Sequence, residues 1–311
     1  MSVSLPAKTL RRRVSDLFYL RPRFLLLLLL IPPLLWLGII YLGSLFNLLL
    51  YSFYSLNDFT GQVEYRFSLS AFQQLFSSPA NIDIVVRTTL MALAVTLACA
   101  VIAFPIAYCI AFYTRGGSKT FWYLMVLLPL WSSYLIKVYA WRLILASEGV
   151  VSWFFDALGL GWLLEGLLSV PVVGGTSLSN SYLGMFLVFT YIWLPYMILP
   201  IIAALERVPK SLVQASADLG ARPRQTFWKV IWPLTVPGVA AGSIFTFSLT
   251  LGDYIIPQVV GQPGFFIGQM VYVQQGTAGN LPLAAAFSVV PVVIIAVYLL
   301  VVRRMGAFNA L

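Results

Sequence analysis

The sequence contains no histidine. That removes the usual proton shuttle near neutral pH and the commonest transition-metal ligand. Cysteine is almost absent too. Cys99 and Cys109 sit in one apolar stretch without metal-ligand spacing and read as small apolar residues. Charge is scarce: 9% of the 311 residues are Asp, Glu, Lys or Arg, against about 25% in ordinary soluble domains. A soluble fold of this size would lack the polar surface to cover its core. No Ser/His/Asp set or metal-binding cluster can be assembled, which disfavours a membrane enzyme. The run Gly116-Gly-Ser-Lys-Thr120 lacks the Gly-x-x-x-x-Gly-Lys frame of a phosphate-binding loop and reads as a basic turn. An internal repeat is also missing, which argues against a secondary transporter driven by an ion gradient.

What is present is apolar: 60% of the chain is hydrophobic, with mean hydropathy +0.92. A membrane-crossing helix needs about 20 mostly apolar residues. Six stretches qualify, at 24–47, 88–113, 121–145, 183–205, 234–258 and 281–302. The first follows a basic stretch like a signal peptide. Its apolar run is too long and no small-x-small cleavage site closes it, so it reads as a retained anchor. The expected fold class is an all-α membrane protein with six transmembrane helices. The outward segments are 48–87, 146–182 and 259–280, and the two long ones, 48–87 and 146–182, are large enough for short interfacial helices, for example near 150–158.

The net charge of +9 has a direction. One set of segments holds Lys8, Arg11, Arg12, Arg13, Arg21 and Arg23 in the arm 1–23, then Arg115 and Lys119 in 114–120. The same set continues with Arg207, Lys210, Arg222, Arg224 and Lys229 in 206–233, and Arg303 and Arg304 in the tail 303–311. The opposite set holds Arg66 and Arg87 against Asp58, Glu64, Asp83, Glu148, Asp156 and Glu165. Basic residues mark the cytoplasmic side, so both termini are expected there. The positive charge is then a matter of membrane topology, not of nucleic-acid binding.

The segment 206–233 carries the most information. Pro209 suits the first turn of a helix and Gly220 a left-handed stop. Between them Leu212, Ala215, Ser216 and Leu219 fall on one face. Arg222-Pro223 then opens a second short helix leading into the fifth span. Periodicity leaves two readings equal: a docking helix for a partner, or a helix lying on the membrane.

The stretch Gln214-Ala-Ser-Ala-Asp-Leu-Gly-Ala221, with Val230, Trp232 and Pro233 following, resembles the Glu-Ala-Ala loop of permeases from binding-protein-dependent ABC importers. Gln214 stands where that pattern has glutamate, and Ser216 where it has its second alanine. The segments Leu135-Ile-Lys-Val-Tyr-Ala-Trp141 and Leu251-Gly-Asp-Tyr-Ile-Ile-Pro257 look like the spermidine/putrescine branch. The resemblance implies a type I ABC importer permease (MetI-like) fold, its core at about 86–302, in a bacterial inner membrane. It implies a cytoplasmic coupling helix, with Gln214, Ala215, Ser216, Asp218, Leu219, Gly220, Ala221 and Pro233 facing the ATPase. It implies partners: an ATPase dimer that holds ATP and Mg, a second permease and a periplasmic solute-binding protein. No cofactor is expected on this chain. The solute implied is a polyamine such as putrescine, with 4-aminobutyrate, iron and inorganic anions carried by related systems.

Ionisable groups at membrane depth are costly and therefore informative. Lys137, Arg142 and Asp253 fall there. A cationic solute needs carboxylates and aromatic faces. Asp253, Lys137, Tyr139, Trp141 and Tyr254 are the candidates for the path, with Tyr191 and Trp193 as further faces. The competing expectation is an ion pair from Asp253 to Lys137 or Arg142. Pro105, Pro129, Pro195, Pro200, Pro257 and Pro291 are candidate hinges.

Overall fold

The computed structural model describes residues 22–304, apart from Asp58, Val172 and Pro263. Lys8, Arg11, Arg12, Arg13, Arg21, the Arg23 side chain, Asp58 and the tail beyond Arg304 lie outside the described residues. Among the described residues, five helices are long and apolar enough to cross a membrane: Leu25–Tyr51, Pro79–Tyr113, Tyr182–Glu206, Pro223–Gly252 and Leu281–Arg304. These are the first, second, fourth, fifth and sixth spans. The third is a bent pair, Gly116–Trp131 and Tyr134–Ile144, with 93° between its arms. The stretch 121–145, read above as one helix, is thus broken. Ser132 and Ser133 are extended (ψ 148° and 132°), so the ladder of backbone bonds stops between the arms.

The fourth span lies at the centre, packed on the second and fifth. Small residues allow the approach. A Cβ on Gly238 would meet the Pro200 carbonyl oxygen at 2.7 Å, and one on Gly242 the Met197 sulfur at 2.7 Å. Buried hydroxyls in these spans are satisfied within their own helices. Thr96, Thr190, Thr235, Thr246 and Thr250 each donate to a carbonyl one turn back, at 2.6–3.0 Å. Such back-bonding leaves none of these five hydroxyls unpaired in apolar surroundings.

At the end away from the 206–233 loop, short elements cap the bundle. The helices Ser70–Ser77 and Ile267–Gly276 bury Ala71, Leu75 and Ile267 against Leu283, Ala286 and Phe287 of the sixth span. The segment 48–87 also holds a small antiparallel hairpin, Ser55–Leu56 with Val63–Glu64, which the sequence reading did not include. The expected short helix near 150–158 is Val150–Ala157, followed by a second, Gly161–Leu168.

Candidate functional site

The loop between the fourth and fifth spans folds as the helix Lys210–Asp218, a turn, and the short helix Pro223–Thr226. Gly220 has φ +76°, a conformation that glycine adopts without the Cβ penalty. The Ala221 N–H donates to the Ser216 carbonyl at 3.1 Å, and the Gly220 N–H to the Ala217 carbonyl at 2.9 Å. These two bonds form a Schellman motif, which satisfies carbonyls the helix end would otherwise orphan. The Arg222 N–H donates to Gln225 Oε1 at 2.8 Å and closes the start of the next helix.

Leu212, Ala215 and Leu219 are exposed on this helix, Leu219 at 88%. Gln214, Asp218 and Ala221 also lie on the loop surface or its edge, and Pro233 sits in the first turn of Trp232–Gly252. Ser216 does not share the exposed face on which the sequence reading placed it. It is half-buried, with its hydroxyl 2.9 Å from Thr226 Oγ1, so it ties the two loop helices together. Val213 is the apolar side chain turned to the core.

At the root of this loop Glu206 Oε1 accepts from Lys119 Nζ at 2.7 Å and from the Tyr123 hydroxyl at 2.7 Å. Both partners are on the first arm of the third span. Sequence reasoning passed over this cluster, because nothing local connects residues 83 positions apart.

The second region lies where the fifth span stops. Gly252 ends the helix, Asp253 is extended, and Ile255–Val259 starts a new one. Asp253 Oδ1 accepts from the Ile255 and Ile256 N–H groups at 2.8 and 3.1 Å. Its Oδ2 accepts from the Tyr134 hydroxyl. The expected ion pair to Lys137 or Arg142 is not formed among the described residues. Lys137 Nζ instead donates to the Pro129 carbonyl at 2.8 Å, joined there by Ser132 Oγ at 2.9 Å. A cation at the C-terminal end of a helix is favoured by the helix dipole.

Asp253 and Tyr254 line a cleft of about 330 Å³ with Tyr134, Trp193, Ser248 and Gly252. Trp193 stacks on Tyr134, centroids 5.9 Å apart. Lys137, Tyr139 and Trp141 are not in that lining: Tyr139 is exposed, and Trp141 rests on Tyr191 at 5.0 Å. Tyr134 is the contributor that the sequence reading missed. A separate cavity of about 550 Å³ is lined by Arg142 and by Thr176, Asn180, Gln258, Gln262 and Gln269. Among the described residues, no group of three His, Cys, Asp or Glu is placed to hold a metal.

The chain thus combines membrane-crossing helices around a buried central span, a projecting loop helix and a far-end cleft. A family described as "Binding-protein-dependent transport system inner membrane component" matches residues 89–309, and the chain belongs to that family. It is a permease component of an ABC importer, multi-pass in the inner membrane, with the MetI-like fold. It is 58% identical over 299 residues to the inner membrane ABC transporter permease protein YdcU of Escherichia coli K12, covering 96% of this chain and 95% of that one. It is 29% identical over 243 residues to the spermidine/putrescine transport system permease protein PotB of the same organism, covering 78% and 84%. A bacterial ABC transporter of alginate, solved in complex with a periplasmic protein bound to an alginate pentasaccharide, shares the fold. Its TM-score is 0.71 at 18% identity, covering 94% of this chain and 97% of that one.

Proposed function

We propose that this chain forms half of the path by which an ATP-driven importer moves a small organic amine, a polyamine such as putrescine, into the cell. The observation that carries this reading is Asp253, a carboxylate at the break of the fifth span, in a cleft whose other walls are Tyr134, Trp193 and Tyr254. A carboxylate with aromatic faces suits an alkylammonium ion. Asp253 gives three of its roughly four acceptor positions to Tyr134, Ile255 and Ile256, which leaves one for a passing cation. The similarity to spermidine/putrescine permeases supports the same class.

In this proposal the exposed face of Lys210–Asp218, with Gln214 and Asp218 at its edge, docks on a cytoplasmic ATPase that holds ATP and Mg. A second permease completes the path, and a periplasmic binding protein delivers the solute. Both termini are then cytoplasmic, as the basic residues around the loop indicate. A second reading, 4-aminobutyrate, has one observation in its favour. The cavity lined by Arg142, Gln258, Gln262 and Gln269 offers a cation and amides that suit a carboxylate.

The test is uptake of labelled putrescine in a strain lacking its own carrier. Asp253→Asn removes the charge and keeps an acceptor for the backbone caps. Loss of one ammonium contact of about 1.4 kcal/mol predicts about a tenfold fall in uptake. Unchanged uptake with lowered thermal stability would leave Asp253 as a cap alone and sink its part in the path.

A further inference from the structure

The first arm of the third span is held in an unusual way. Along Gly116–Trp131 only Val126 is buried, so lateral packing is slight. Its two ends are fastened by polar bonds. At the loop end Lys119 and Tyr123 hold Glu206, the last residue of the fourth span and four positions before the loop helix begins. At the far end the Pro129 carbonyl receives Lys137 and Ser132, which fasten the second arm across the bend. Tyr134, in the first turn of that second arm, donates to Asp253. One helix of about 24 Å, at 1.5 Å per residue, therefore joins the root of the loop to the cleft.

We propose that the Glu206–Lys119–Tyr123 clamp is the positioning element through which movement of the loop helix reaches the Asp253 cleft, with Gly116–Trp131 acting as the rod between them. A helix weakly packed along its sides and bonded at both ends moves as a unit. Rigid secondary elements of this kind can carry a displacement between distant sites. The lysine and glutamate side chains are 35% and 32% exposed, so the pair is reachable by solvent and contributes little to stability. Its value lies in holding register between two spans. Val208 is buried and Val213 half-buried, and both line one cavity with Lys119 and Glu206, so the loop helix is seated beside the clamp. The inference rests on the docking of an ATPase proposed above.

The experiment uses the complete transporter in proteoliposomes, with binding protein, and reads ATP hydrolysed per solute taken up. Glu206→Gln, Glu206→Lys and Lys119→Glu are each compared with the exchange Lys119→Glu/Glu206→Lys. Coupling energies of this kind are worth roughly five- to 150-fold. Each single variant is expected to raise the ATP cost per solute by about tenfold, and the exchange to return it to within about twofold of the unaltered protein. Glu206→Gln is isosteric, and size-exclusion recovery of the assembled complex is measured alongside. An unchanged ratio in the single variants overturns the clamp. So does loss of the assembled complex in the single variants, whether or not the exchange regains it, because a merely structural tie gives that result. Failure of any ATPase to copurify with the unaltered chain would instead strike at the docking reading.

Discussion

Two helices in this chain stop at a glycine, at Gly220 and at Gly252, and they stop by different means. At Gly220 the backbone turns left-handed, and its bonds close within the six residues 216–221. Nothing lies within 4 Å of the position where a Cβ would sit. At Gly252 no left-handed residue is used. Asp253 takes over, capping the next helix with one oxygen and bonding Tyr134, 119 positions away, with the other. Gly268 comes so close that its Cβ would meet the Asp253 and Gly252 carbonyl oxygens at 2.8 and 2.9 Å. The first end is local, exposed and self-sufficient. The second is a junction of three segments. A partner can grip the first without disturbing the bundle. Anything that changes the second is felt by the third span as well.

The sharpest way to break this comparison is at Asp253. Alanine there removes a cap and a charge-assisted bond to Tyr134 together, a loss of about 2–4 kcal/mol. Thermal melting of the detergent-purified chain should fall clearly, with Asp253→Asn between alanine and the unaltered protein because Asn still caps. A melting point unmoved by alanine would mean that the junction is as local as the loop end.

The next effect in size belongs to Gly220. Valine at φ +76° carries a backbone penalty of about 1–2 kcal/mol with no clash to add. The strain falls on the Schellman bonds, so the docking face frays while the bundle holds. Copurification of the ATPase should drop with Gly220→Val and survive in Gly220→Asn, since asparagine tolerates this conformation. Equal loss in both variants would assign the effect to bulk at the interface.

The same contrast explains what could be read in advance. Spans were legible because length and apolarity are properties of a contiguous stretch. The loop was legible because its stop needs only a glycine and the carbonyls just before it. Glu206 was passed over because its partners, Lys119 and Tyr123, belong to a different span. Asp253 was singled out for its charge at depth, yet its partners were misjudged. Opposite charge suggested Lys137 or Arg142, whereas the fold gives Lys137 a helix end to cap and offers Asp253 a phenol. The candidate prolines gave little guidance to the breaks. Pro105, Pro195, Pro200 and Pro291 lie inside continuous helices. The bend falls at Ser132–Ser133, beyond Pro129, and the fifth span stops at Gly252-Asp253.

The smallest effect tests how self-sufficient the loop end is. Ser216 stands where the family pattern has alanine, and its hydroxyl lies 2.9 Å from Thr226. Ser216→Ala restores the pattern and leaves the Thr226 hydroxyl without that partner in a buried position. The net worth of such a bond is about 1 kcal/mol, a factor of about five in a local opening equilibrium. Amide hydrogen exchange over 216–226 should therefore quicken about fivefold, while the spans are unchanged. Transport should persist, because the Schellman bonds at Gly220 use backbone atoms that the substitution leaves in place. If transport falls with the exchange rate, the two loop helices must move as one piece, and the loop end depends on a tertiary bond much as the Asp253 junction does.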